Sequence, residues 1–125
     1  MIRQSQEHQE QAALFDWVAL SEPRWPELAL LYAIPNGGER HPAVAIRLKA
    51  EGVKPGVPDL CLPVARGGYH GLYIELKSRE GKLSAEQRHW LANLEGQGYR
   101  AAMCRGWESA QRLIEDYLST GVTKR

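Results

Sequence analysis

No apolar run in the chain approaches the ~20 residues that a helix needs to cross a bilayer. The opening stretch MIRQSQEHQEQ also lacks the apolar segment of an export signal. Cysteine is scarce: Cys61 and Cys104 lie far apart, sit in apolar stretches and form no paired-thiol motif. They read as free thiols in a reducing compartment, not as a disulfide framework. His8, His41, His70 and His89 are scattered without ligand spacing, so none is expected to bind a metal. An excess of one charge is missing too. Lys and Arg total 16 against 15 Asp and Glu, so bulk charge announces no nucleic-acid binder and any basic surface must be local. Repeats, low-complexity tracts and linkers are absent. Residues 1–125 are therefore expected to form one cytoplasmic domain, long enough to bury a real core.

What is present reads as alternating helices and strands. Residues 5–20 predict a helix, with Leu14, Trp17 and Val18 at the spacing of a buried stripe, and Pro23 and Pro26 end it. LALLYAI (28–34) reads as a buried strand and PNGG (35–38) as a loop. In HPAVAIRLKAEG, Pro42 suits a first helical turn and Gly52 a stop. After the breaker-rich loop VKPGVP, strands are expected at 59–64 and 71–77, joined by RGGYH as a hairpin. LSAEQRHWLANLEGQG opens on Ser84 and Gln87 at capping-box spacing and is expected to bury Trp90, Leu91 and Leu94. YRAAMCR (99–105) reads as a last strand and residues 109–118 as a last helix. The helix between the last two strands places them parallel, beside the antiparallel hairpin. The fold class is α/β: a small mixed sheet flanked by helices.

Charges inside the hairpin need a reason. Alternation puts Leu72, Ile74 and Leu76 on one face and Tyr73, Glu75 and Lys77 on the other. Folding about Gly67 and Gly68 sets Asp59 opposite Glu75 or within one residue of it. Directly paired residues lie about 5 Å apart at Cβ, where two carboxylates repel unless a positive charge intervenes. A hard divalent cation would supply that charge through one or two carboxylates while keeping its waters. It could activate a water and polarise a phosphoryl oxygen, with Lys77 beside it. The plain alternative is a solvated strand face bearing Glu75 and Lys77, with Pro58-Asp59 an ordinary strand entry.

Pro58-Asp59, a hairpin, and then Glu75-Leu76-Lys77 resemble the signature of the PD-(D/E)xK nuclease superfamily. More narrowly, GVPDL, IELK, LSAEQRHWLANLEGQGY and the IPNGG loop, in this order, resemble the VRR-NUC family of virus-type replication and repair nucleases. The resemblance implies an αβββαβ restriction-endonuclease-like core with a helix inserted after the first strand. It implies Mg²⁺- or Mn²⁺-dependent phosphodiester hydrolysis, with Asp59 and Glu75 as metal ligands, the Leu76 carbonyl completing the shell, and Lys77 as the catalytic lysine. It also implies an acid on the first helix near the metal. Glu7 is preferred, because Gln11 and Leu14 then follow at the family's spacing; Glu10, one turn on, is the fallback, and either also reads as a solvated helix residue. Gln87 matches a glutamine found on the helix after ExK in related nucleases, and it equally completes the capping box with Ser84.

Members of the family without extra domains are phage or bacterial proteins that look like homodimers acting on branched DNA such as four-way (Holliday) junctions. For DNA contact, Arg40, Arg47, Lys49 and Lys54 face Glu51 alone in sequence, an excess able to neutralise phosphates. Arg47 and Lys49 do not point the same way on a helix, so part of that excess reads as ordinary surface. Asn36, Gly37 and Gly38 could approach a DNA backbone or form a plain turn. No segment resembles a base-reading element, so shape recognition is expected. The expectation is a metal-dependent structure-specific DNA endonuclease without a small-molecule cofactor. The alternatives are a silent DNA-binding or assembly module of the same fold and a nuclease for flap or linear DNA.

Overall fold

The computed structural model describes residues 2–35 and 41–121, with side chains from residue 6 onward. Asn36, Gly37, Gly38 and Arg40, named above for DNA contact, lie outside the described residues. The element order is α1 (Ile2–Ser21), a 3-10 turn (Pro26–Leu30), β1 (Tyr32–Ala33), α2 (Pro42–Ala50), β2 (Leu60–Leu62), β3 (Leu72–Lys77), α3 (Ala85–Gly96), β4 (Arg100–Arg105) and α4 (Trp107–Ser119). The strands form one sheet in the order β1-β2-β3-β4, antiparallel up to β3 and parallel between β3 and β4. This is the mixed α/β sheet expected, with α3 as the crossover that makes the parallel pair possible.

One face of the sheet makes the core. Leu60 and Leu62 of β2 and Leu72, Ile74 and Leu76 of β3 are buried there beneath Leu14 and Val18 of α1 and Ala110, Ile114, Tyr117 and Leu118 of α4. The α4 residues recur at the three-to-four spacing of a single helical face, which is why that helix docks. Each fully buried Leu or Ile contributes about 1.5–3 kcal/mol by leaving water. The Tyr117 hydroxyl donates to the Val64 carbonyl at 2.6 Å, so its polar tip is satisfied. Trp17, expected in the buried stripe, is half-buried at the rim.

Two expectations fail for local reasons. The strand expected over 28–34 shrinks to Tyr32–Ala33. Pro26 starts a 3-10 turn instead, Leu28 points into the core, and Glu27 accepts from Arg66 at 2.6 Å. An apolar run alone did not distinguish these outcomes. The hairpin ladder also stops at Leu62–Leu72, short of the expected strand end, because Pro63 has no N–H to offer. Arg66 and Tyr69 then make an isolated bridge around Gly67 and Gly68.

The opposite face is thinner. α3 carries no fully buried residue, so Trp90, Leu91 and Leu94, expected in the core, are only half-buried. α2 likewise buries nothing completely, and Ile46 is 71% exposed. Pro42 starts α2 as expected, with the His41 Nδ1 accepting from the Ala43 N–H at 3.1 Å. Among the described residues no helix is long and apolar enough to cross a membrane.

Candidate active site

The β2–β3 register decides the site. Leu60 pairs with Ile74, so one step back along β2 Asp59 falls beside Glu75. Asp59 lies just outside the strand and is fixed twice. Its carbonyl accepts from the Ile34 N–H at 2.7 Å, and its Oδ2 accepts from the Leu76 N–H at 2.8 Å. A strand residue's carbonyl leaves the backbone on the same side as its N–H, so the Leu76 carbonyl also opens toward Asp59.

Glu75 is 2% exposed. Its Oε2 accepts from the Gln87 amide nitrogen at 3.1 Å and lies 3.4 Å from the Lys77 Nζ. Its Oε1 is buried and has no hydrogen-bond partner. Burial first, and then the Asp59 charge, push the Glu75 carboxyl up to about 8; Lys77 opposes both without cancelling them. Burial also raises Asp59, against the Leu76 N–H and the Lys77 charge, which favour its anion. The site thus holds two acids that cannot both ionise comfortably without further positive charge.

Gln87 shows that its two readings are compatible. The side-chain carbonyl accepts from the Ser84 N–H at 2.9 Å, and the Ser84 Oγ accepts from the Gln87 N–H at 3.1 Å, which completes the capping box. The same amide's nitrogen reaches Glu75. The cap that starts α3 therefore also orients a site carboxylate.

The two acids of α1 part company. Glu10 Oε1 accepts from the Trp107 N–H at 2.8 Å, and so caps the start of α4, where Gly106 has no side chain to do so. Glu7 turns toward the end of β3: its Oε2 lies 3.5 Å from the Ser78 N–H, and its charge is felt by Asp59. A Cβ added to Gly81 would meet Glu7 Oε2 at 2.8 Å and the Lys77 side chain at 3.2 Å. The missing side chain at 81 lets that loop close on both. Ser78 is the residue the sequence reading missed: it is buried beside Lys77, its Oγ lacks a partner, and nothing in the sequence set it apart from a strand-end serine.

The structure thus gathers Asp59, Glu75, Leu76, Lys77, Gln87 and Glu7, and leaves Glu10 to α4. Arg47, Lys49 and Lys54 are exposed, and none of the three is held in an ion pair among the described residues. No group of three His, Cys, Asp or Glu that could cage a cation forms among the described residues. The donors that do converge are two carboxylates and a backbone carbonyl. Such a set fits a hard cation that keeps several waters, and Glu75 Oε1, buried without a hydrogen-bond partner, is the kind of oxygen such a cation would take.

A family model for the VRR-NUC domain matches residues 2–108. A solved structure described as a VRR_NUC domain protein is similar throughout: 27% identical, with 96% of this chain and 97% of that one covered at a TM-score of 0.79. No protein of curated function matches the chain.

Proposed function

Since the chain belongs to the VRR-NUC family and carries a nuclease-type domain, we propose that it is a metal-dependent endonuclease that hydrolyses phosphodiester bonds in branched DNA. The observation that carries this reading is the buried Glu75 Oε1, without a partner, next to Asp59. Asp59 and Glu75, with the Leu76 carbonyl, would hold Mg²⁺ or Mn²⁺. Bound there, the ion supplies Lewis-acid polarisation of a phosphate oxygen and a more acidic water.

The chain's own groups do the rest. The Leu76 N–H locks the Asp59 carboxylate, and Gln87 holds Glu75 Oε2, so both acids are oriented before substrate arrives. Lys77, buried and 3.4 Å from Glu75, is placed to donate to a phosphate oxygen as negative charge gathers there. Glu7 adds a further acid at the edge of the site, where it would serve as a proton acceptor. Exposed Arg47, Lys49 and Lys54 would neutralise flanking phosphates without reading sequence.

Labelled four-way junction, flap and linear DNAs incubated with Mg²⁺ or Mn²⁺ test this reading. The wild type is expected to cut the junction best. Asp59→Asn should fall to background, and Lys77→Ala should lose about 10²–10³-fold, as when one preorganised donor is removed. Glu7→Gln should slow cleavage, whereas Glu10→Ala should cost about 1 kcal/mol of stability through the lost α4 cap and still cut. A wild type that binds junctions yet leaves them as intact as the variants do would make the protein a silent module. A junction presents two symmetric strands and each chain one site, so the active form is read as a homodimer. Light scattering that returned a monomer at working concentration would refute that part.

A further inference from the structure

Trp90 occupies the face of α3 that the sequence assigns to the core, yet its ring is only half-buried. It forms one wall of an open groove of about 630 Å³ between α3 and the loop that leads into β2. Lys54 and Pro55 come from the loop side; Glu86, His89 and Asn93 come from α3. The volume lies within the usual range of small-ligand sites. The groove shares its helix with a residue of the candidate site. Trp90 follows Gln87 by three residues, and the Gln87 amide touches Glu75. Both walls of the groove therefore belong to elements that also hold the site's acids: the loop at Lys54 and Pro55 runs on into Asp59, and α3 carries the Gln87 that holds Glu75.

A cation at the rim suits a DNA strand as occupant. Lys54 is exposed at the rim, where a phosphate could reach it, and one acid, Glu86, stands among the described lining residues. An apolar floor with a flat aromatic wall suits an uncharged ring, whichever base it is, because every base has a stacking face. A base still paired in a duplex is covered on both sides by its neighbours and cannot enter. We propose that this groove is a subsite for one unpaired base of the DNA strand, stacked on Trp90 with its adjoining phosphate on Lys54. It rests on the nuclease reading and refines it: nucleotides left unpaired beside the cleavage position, as at branch points and flaps, are what the protein selects.

Fluorescence anisotropy in EDTA tests the subsite apart from cleavage. The probes are a labelled octathymidylate and an abasic strand of the same length and charge. The wild type is expected to bind the thymidylate about tenfold more tightly. Trp90→Ala should erase that preference, and Trp90→Phe should keep most of it. Lys54→Ala should weaken both strands alike and preserve their ratio. Equal binding of the two strands by wild type, or a preference that survives Trp90→Ala, overturns the proposal. The wild-type comparison and the phenylalanine variant decide the matter even where the alanine variant folds poorly. Base preference without Mn²⁺-dependent cleavage would remove the nuclease reading and leave the subsite standing; cleavage without base preference would do the reverse.

Discussion

Glu75→Gln is expected to abolish cleavage and, in the same protein, to raise the melting temperature of the metal-free form. Cleavage should fall by more than about 10³-fold, because the loss of a cation that supplies several kcal/mol of charge stabilisation costs that much in rate. The gain in stability comes from the same burial. The unfolded chain ionises Glu75 near the ordinary glutamate value of 4.5, while the folded protein holds the proton until about 8. Below 4.5 the group is neutral in both states and costs nothing. As pH rises the unfolded state loses its proton first, so the folded state is penalised increasingly until about 8, where the penalty levels off. Metal-free wild type should therefore lose stability between about pH 4.5 and 8, and the glutamine variant should escape that loss. The difference at pH 8 is of order 2–4 kcal/mol.

Lys77 works against part of this gain. It is buried, and the substitution removes the carboxylate 3.4 Å away, but Asp59 remains within its influence as a counter-charge. Added Mn²⁺ should reverse the order, raising the melting temperature of wild type and leaving that of the variant unchanged. Thermal melts at pH 5, 6.5 and 8, with and without Mn²⁺, measure all of this. Coincident pH profiles for the two metal-free proteins would end the electrostatic account of the site, and wild-type cleavage by the variant would end its assignment to the metal.

Much of this site was legible because strand pairing is periodic. The positions of Asp59 and Glu75 follow from a turn at Gly67-Gly68 and from alternation along IELK, both of which are local. The capping box of Ser84 and Gln87 is local as well. What stayed hidden depends on partners distant in sequence. Glu7 and Glu10 share a face of α1, and only the arrival of α4, 97 residues on, assigns Glu10 to the Trp107 N–H. The 3-10 turn at 26–30 starts on Pro26 and sets Glu27 against Arg66, 39 residues away. Trp90 is the instructive miss. Helical spacing told which residues share a face, but not whether enough protein lies beneath that face to bury it.

Gly56→Ala is the second large effect, and it acts from outside the chemistry. Gly56 has φ +90°, and a Cβ there would sit 2.6 Å from the Glu86 carbonyl carbon and 2.8 Å from its oxygen. The contact is with backbone, so no side-chain rotation relieves it. Gly52 separates the two costs: its φ is +99°, yet a Cβ there meets nothing within 4 Å. Gly52→Ala should therefore lose only the left-handed backbone penalty of about 1–2 kcal/mol. Gly56→Ala carries the same penalty plus the collision, for roughly 3 kcal/mol or more.

The collision pries the 53–58 loop from the start of α3. That loop runs into Asp59, and the residue after Glu86 is Gln87, so both site carboxylates lose their reference positions together. A displacement of about 1 Å at a reacting group can cost on the order of 10²-fold in rate. Urea unfolding and Mn²⁺-dependent junction cleavage should then rank wild type above Gly52→Ala and Gly52→Ala well above Gly56→Ala in stability, with cleavage lost only in the last. Cleavage at the wild-type rate by Gly56→Ala would mean that the two acids hold their places without this loop–helix contact, and that the β2–β3 pairing alone builds the site.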